Sequence, residues 1–401
     1  MAHKHICLPF ESEAQYQHFV SDTENYRHYL TQMLTQYPEL FPKEMEHGFT
    51  FHDRYASVKQ DLILRRIKLK ATGAVYSLRP SFVLPYMVAR TEEVERALYL
   101  RQWGVPFDAL AYVFGRDAMF WYRAWLSFGR PSLIGTTVKD PATLPRDLVA
   151  DEKLTWVAGQ QVYVPTTVGG GCFLGVSVVE SASSDALAAG YGEFASEARQ
   201  VAPDYSPRSV CTDGWRATRE AWQRLYPKIT LVLCFLHSIL KIRDRCRGAL
   251  RHQVLDRAWH VYQAATKRQF AQRLRRLREW SALHLSGAVK EMALKLCGHR
   301  GDFTPAYDCP QAHRTSNAVD RLLNYQDRLL YAMRYCHSTT ASARLAVRAM
   351  AMQWNFHPYG ERLRRDEPWR KSPFVDLNGF EYHANWLHNL LIASSMGGLR
   401  L

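Results

Sequence analysis

The 401-residue chain is long enough for two or three domains with separate cores. Its net charge of +14 and pI of about 9.4 point to a polyanionic partner, nucleic acid ahead of an anionic membrane surface. No apolar run approaches the roughly eighteen residues a helical bilayer span needs, and MAHKHICLPFESE lacks the basic-then-apolar form of a signal peptide, so a cytosolic protein is expected. The eight cysteines are scattered without a CxxC pair, as expected for reduced thiols and not for a disulfide framework.

Residues 1–90 read as a mixed N-terminal region. Within it, LRRIKLKATGAVYSL (64–78) alternates Ile67 and Leu69 against Arg66, Lys68 and Lys70 and then turns near Thr72-Gly73. This predicts a hairpin with one basic face, either a phosphate-contacting surface or an ordinary solvated strand. In residues 91–128 a helix from about Glu92 ends at Gly104, Pro106 opens FDALAYVFG, and a further helix follows from Asp117. Ala111 lies four residues before Gly115, where a small residue lets two helices cross closely, so the segment is helix-turn-helix-like. Arg116 and Arg123 are its candidate DNA contacts. Phe120, Trp121 and Tyr122 in the would-be reading helix look more like core than groove, which keeps a plain helical pair as the alternative. Residues 129–146 are rich in Gly, Pro, Thr and Ser and read as a linker.

A second domain is expected over 147–357. DLVADEKLTWVAG, QVYVPTTVGGG and CFLGVSVVES are three β-rich runs separated by Ala-Gly and triple-Gly turns, as in an antiparallel meander. A helix over 184–202, a strand in SPRSVCTDG, a helix in WRATREAWQRLYP and a fifth apolar run in KITLVLCFLHSI follow. The expected fold is α/β: a ribonuclease H-like mixed sheet with a large helical insertion at 240–310, after an N-terminal region containing the helix-turn-helix. Between residues 241 and 280 there are twelve Lys/Arg against three Asp/Glu. Arg243, Arg247, Arg275 and Arg276 are therefore candidates for tracking a phosphate backbone, with a merely solvated face as the alternative. Residues 358–401 read as a C-terminal tail.

The acids carry the chemistry. Asp213, in TDGW, falls at the carboxyl end of a predicted strand, where open sheets place their ligands. Asp151, in LVADEK, lies on the first strand of the same sheet, and in this topology the first and fourth strands are neighbours. Two adjacent carboxylates repel unless a cation joins them, and hard oxygen ligands suit Mg²⁺ or Mn²⁺. A third acid is offered by HRTSNAVDRLLNYQDR (313–328), where Asn317, Asp320 and Asn324 share one helical face. Asp327, Asp308 and Glu291 are its rivals.

On DEK (151–153), TDGW (212–215), CFLH (234–237) and SNAVDR (316–321), taken in order and spacing, the chain resembles a bacterial insertion-sequence transposase of the acidic-triad (DDE/DDD) class, in the ribonuclease H-like superfamily. The resemblance covers roughly residues 147–357. It implies Asp151, Asp213 and Asp320 as catalytic residues holding two Mg²⁺ (or Mn²⁺) ions about 3.5–4 Å apart for in-line phosphoryl transfer. Cys234 and His237, as a Cys-x-x-His pair on the strand after the second acid, and Asn317 would form an auxiliary pocket. The implied reaction frees a 3′-hydroxyl at an element's end and joins it to target DNA. The implied partners are double-stranded DNA, as terminal inverted repeats and target, and further copies of the chain in a homo-oligomer on DNA, in a nucleoid-associated cytoplasmic setting. The family commonly carries glutamate as third acid. Aspartate here is shorter by about 1.5 Å, so its helix must lie closer to the sheet. Zinc shared by Cys234, His237, Cys309 and His313 is not expected, because their spacing gives it no support. The alternatives are an inactive transposase-derived DNA-binding protein and a ribonuclease H-like nuclease without strand transfer.

Overall fold

The computed structural model describes residues 4–85, 87–336 and 339–399, and the chain is a mixed α/β protein built on two mixed sheets. The first sheet has the order β1-β4-β3-β2, from β1 (His5–Leu8), β2 (Phe49–Ser57), β3 (Leu62–Leu69) and β4 (Val75–Pro80). Helices α1 (Glu13–Ser21) and α2 (Thr23–Gln36) accompany it, and the Tyr16 hydroxyl donates to the Ile63 carbonyl at 3.0 Å. The hairpin expected at 64–78 is the β3–β4 pair, with Gly73 at φ +69° in its turn. Ile67 and Leu69 are buried while Lys68 and Lys70 are exposed, as the alternation requires. Arg65 breaks the pattern: it is buried, stacked 4.3 Å from the centre of the Phe51 ring, and donates to the Val20 carbonyl and the Thr23 hydroxyl.

Three helices follow, α3 (Thr91–Arg101), α4 (Phe107–Phe114) and α5 (Ala118–Leu126). Asp117 caps α5 through the Phe120 N–H (2.8 Å), and Gly115 makes the preceding turn at φ +73°. Trp121, Ala124 and Trp125 of α5 face the core. After them comes α6 (Leu133–Thr137).

The second sheet has the order β7-β6-β5-β8-β9. Strands β5 (Asp147–Val157), β6 (Gln160–Gly169) and β7 (Cys172–Val176) form an antiparallel meander, and β8 (Ser209–Thr212) and β9 (Thr230–Leu233) run parallel to β5. The Ala158-Gly159 turn has φ of +49° and +79°, positive at both positions as a two-residue hairpin turn demands. On one face Leu148, Ala150 and Val210 pack with α7 (Ser184–Val201) and α8 (Arg216–Leu225). Between β9 and the helices of the other face come α9 (Phe235–Arg243), α10 (Gly248–Tyr262), α11 (Lys267–His284), α12 (Gly287–Gly298), α13 (Arg300–Phe303) and α14 (Pro305–Asp308). They enclose a core of their own around Phe235, Phe270, Leu274, Leu277 and Phe303. The other face of the sheet, with Val149, Cys211 and Val232, packs with α15 (Asn317–Ala332) and α16 (Thr340–Phe356). The chain ends through α17 (Glu361–Asp366), α18 (Pro373–Asn378) and α19 (Trp386–Ala393).

Three expectations differ from what is seen. The apolar run after residue 228 stays extended only to Leu233. Phe235 then donates its N–H to the Arg314 carbonyl (3.0 Å) and opens α9, so CFLH spans a strand-to-helix junction and not a strand. Residues 129–146 do not run as an exposed connector: α6 is buried throughout, and a Cβ on Gly135 would sit 1.9 Å from the Gly398 carbonyl. Small residues there allow close packing instead of flexibility. Residues 358–401 are not a loose tail either, because α19 is wholly buried and the Cys7 N–H donates to the Ser395 hydroxyl at 3.1 Å. Among the described residues no helix is long and apolar enough to cross a membrane.

The tie between α6, α7 and α16 is ionic. Glu197 of α7 accepts from Arg348 of α16 (2.7 Å), the Ser132 hydroxyl (2.8 Å) and the Ile134 N–H (3.0 Å), while Arg348 also donates to the Gly129 and Pro131 carbonyls. Both side chains are largely buried, at 14% and 16% exposure. Arg348→Ala strands the Glu197 charge and is expected to lower unfolding free energy by about 3 kcal/mol. Arg348→Lys recovers only part of this, since one ammonium cannot reproduce the guanidinium fork. Urea unfolding of the three proteins checks both.

Candidate active site

The middle of β5, just past its pairing with β8, carries two acids that point to opposite faces. The parallel register pairs Leu148 with Val210 and Val149 with Cys211, so two residues further on Asp151 stands level with Asp213. Strand alternation puts Asp151 on the Val149 face, beneath α15, and Glu152 on the Ala150 face. Glu152 accepts from the Tyr191 hydroxyl (2.7 Å) and the Thr218 hydroxyl (2.6 Å), and burial raises its pKa to about 7. It is satisfied in its own pocket and is not turned toward Asp151's side.

Asp320 reaches the site from the first turn of α15. A carboxylate oxygen of Asp151, one of Asp320 and a ring nitrogen of His237 all lie within 4.8 Å of one another. α15 packs directly on β5 and β6, which brings the aspartate side chain to Asp151. The rivals are occupied elsewhere: Asp327 pairs with Lys153, Asp308 with Lys267 (2.7 Å), and Glu291 is exposed on α12. Asp213 stands beside this group and not within it. One of its oxygens accepts the Trp215 N–H at 2.7 Å, in a turn that leads into α8. It is still close enough to contribute to the raised pKa of Asp151.

Ser316 was not singled out by sequence, yet it joins the parts. At the N-cap position of α15 its hydroxyl makes no cap hydrogen bond. It donates instead to Asp320 (3.0 Å) and lies 3.3 Å from His237 Nδ1. Its N–H donates to the Cys234 sulfur at 3.1 Å. A serine directly before a helix was the available signal, but its usual meaning is capping. Cys234 and His237 form a coupled pair: hydrogen bonding from Cys211 holds the Cys234 pKa down, and the hydrogen bond to Cys234 holds His237 up. Asn317 is exposed on the next residue of α15. Cys309 lies beside Thr230 at the start of β9 and His313 against Asp147 at the start of β5, whereas Cys234 and His237 follow the far end of β9. The two pairs are separated by the length of the strands.

The electrostatics suit a cation. Burial is the main cause of the rise of Asp151 to about 6, and the Asp213 and Asp320 carboxylates add to it. Burial likewise raises Asp320. His237, protonated through its hydrogen bond to Cys234, supplies the positive charge that opposes this repulsion. The two carboxylates are hard oxygen donors of the kind Mn²⁺ and Mg²⁺ take, and His237 could join them as a ligand only after losing its proton.

The basic candidates are spread over three surfaces. Arg66 is engaged with Asp53 (Nε to Oδ1 2.6 Å), leaving Lys68 and Lys70 as the exposed cations of β3 and its turn. Arg116 forks onto Glu93 (2.7 and 3.2 Å) and covers the Phe120 ring, while Arg123 is exposed on α5. Arg243 is half-exposed beside Asp244 and Arg247 is exposed. Arg275 and Arg276 lie on the outer face of α11, opposite its buried stripe, with Arg275 paired to Glu279.

Comparison with protein-family models and with curated proteins finds no match for this chain. The functional reading therefore rests on geometry and sequence pattern.

An acid whose folded pKa exceeds its unfolded value takes up a proton on folding, so without metal Asp151 costs stability as pH rises from about 4 to about 6. Asp151→Asn is expected to raise stability at pH 7 in EDTA by on the order of 1–3 kcal/mol. With millimolar Mn²⁺ the order reverses, because only the native protein gains a bound ion. Ser316→Ala is expected to weaken Mn²⁺ binding by about tenfold through lost orientation of Asp320 and His237. Thermal unfolding and calorimetric titration measure these.

Proposed function

We propose that the protein is a DNA transposase of the acidic-triad class, which nicks DNA at the ends of an element and joins the freed 3′ end to a target. The single observation that carries the reading is the convergence of Asp151 and Asp320, 169 positions apart in the sequence, on one half-buried spot with His237. The strand order, an antiparallel meander followed by two strands parallel to the first, supports a ribonuclease H-like core with α10–α14 as its helical insertion. The two helices joined at Gly115 support a helix-turn-helix, in which Arg123 is the free basic contact.

In this reading Asp151 and Asp320 would hold one divalent ion, and Asp151 with Asp213 would hold a second. Such ions, when bound, supply charge neutralisation at a phosphate and a lowered pKa for a bound water or hydroxyl. The chain's own residues have separate tasks. Ser316 orients Asp320 and His237, and Cys234 keeps His237 protonated toward an anionic substrate. The basic faces of β3, α5 and α11 neutralise phosphates away from the reacting bond. Lys241 and Lys295 share a cleft of about 190 Å³ with Asp213 and give the strand a positive wall there. Double-stranded DNA is the substrate, and a multimer on DNA is the expected working form.

One observation favours a competing reading as a DNA-binding protein without catalysis: Asp213 is turned to the Trp215 N–H. Incubation with supercoiled plasmid and Mn²⁺ separates the two. The transposase reading expects nicked and joined products, with Asp151→Asn and Asp320→Asn each lowering nicking by at least about a hundredfold, the loss of roughly 3 kcal/mol of charge stabilisation. Nicked product without joined product assigns a nuclease, and metal-independent binding alone assigns the competing reading. Substituting Arg275 and Arg276 together by Ala is expected to weaken duplex binding without changing sequence preference. It should also reduce the slope of log affinity against log salt by about 2. Anisotropy titrations across a salt series measure this.

A further inference from the structure

A cleft of about 360 Å³ lies further along α15 from Asp320, between that helix, the turn joining α3 to α4, and the segment after α16. Drug-sized ligand sites begin at about 300 Å³, so this one is the size of a single planar group with its sugar and not of a duplex. Its walls are aromatic: Trp103, Tyr325, Trp354 and Tyr359. Trp103 is 52% exposed, which is unusual for a tryptophan on a helix turn with a core beside it. Arg321 and Arg328 stand on the same face of α15, with Asn324 between them.

One residue lining the cleft has an unmet, buried hydrogen-bond acceptor. Gln102 is 7% exposed, and its side-chain oxygen has no partner although it lines this space. A buried acceptor without a donor costs free energy that a bound N–H recovers. The walls are held in place before any ligand arrives. Buried Arg101 donates to the Val105 and Leu329 carbonyls, and Arg328 donates to the Gln102 carbonyl at 3.1 Å, so the α3–α4 turn is pinned to α15.

Aromatic faces, a fork of arginines, an amide and an orphan acceptor are together the chemistry that takes a nucleobase. Every base carries an N–H donor on its pairing edge, so Gln102 does not select a sequence. Asn324 and Arg328 follow Asp320 by four and eight residues, about 6 and 12 Å along the helix. At the 3.4 Å rise of a duplex strand this is about two to four nucleotides from a phosphate at Asp320. We propose that the cleft holds an unstacked base of the DNA strand that passes Asp320, laid on Trp103 with its pairing edge toward Gln102 and its phosphates toward Arg321 and Arg328. This rests on the DNA-processing reading above. It adds that the strand must open locally near the site, and that the α3–α4 turn takes part in holding it.

The full-length chain is titrated with a blunt duplex, with the same duplex carrying a short 3′ overhang that contains 2-aminopurine, and with deoxyadenosine monophosphate alone. The overhang is expected to bind about tenfold tighter than the blunt duplex, with quenched 2-aminopurine fluorescence. Trp103→Ala and, separately, Asn324→Ala remove the gain and the quenching and leave blunt-duplex affinity unchanged. No gain in the wild type, with duplex binding and Mn²⁺-dependent nicking intact, overturns the proposal and leaves the transposase reading standing. Saturation by the free mononucleotide with the same Trp103 dependence, without an overhang gain, overturns it in favour of a free nucleotide as ligand. Absence of all DNA binding overturns the reading beneath it as well.

Discussion

The arrangement depends on one electrostatic constraint, the holding of Asp151 and Asp320 close together in a half-buried space with Asp213 alongside. Left to themselves the carboxylates repel and lose solvation, which is why their pKa values rise. A fold tolerates such a cluster when packing on all sides over-determines it, and proteins keep it where a ligand relieves it. Here relief comes in part from the protein, through the His237 imidazolium and its Cys234 partner, and in the proposed function a divalent ion would supply the rest.

Packing fixes each acid from a different direction. Asp151 is placed by the register of β5 against β8, Asp320 by the seating of α15 on the sheet, and Ser316 by the segment of turns and bends that delivers the chain from α14 to α15. That segment is tied to the β9–α9 junction by the Phe235 to Arg314 hydrogen bond, and the same junction presents His237. The site is therefore assembled across sequence separations that only the tertiary fold closes. Arg101 extends the same helix's influence outward by joining α15 to the α3–α4 turn, so the N-terminal helices and the acids share one support.

Period and punctuation made much of the architecture legible. Alternating residues in 64–78 and the Ala-Gly and triple-Gly turns after residue 157 announced strands, because side-chain period and positive φ leave a local trace. Asp151 and Asp320 were legible as acids on a predicted strand and on a polar helix face. Three things were not. Glycine and serine in 129–146 have the composition of a flexible connector, yet they serve close packing at Gly135, which only the partner backbone at Gly398 explains. The end of β9 at Leu233 is set by a hydrogen bond to residue 314, which no local pattern encodes. Ser316 looks like a cap and acts as a linker among Cys234, His237 and Asp320, a role defined by neighbours about eighty positions away on one side.

The central claim is that Asp151 and Asp320 grip a divalent ion together, with Asp213 completing a second position. The most direct measurement is the anomalous diffraction of crystals grown with Mn²⁺. The account predicts a manganese peak touching carboxylate oxygens of both Asp151 and Asp320 at roughly 2.0–2.3 Å, with weaker density between Asp151 and Asp213. Crystals with Mn²⁺ bound elsewhere and no peak between Asp151 and Asp320 would contradict it.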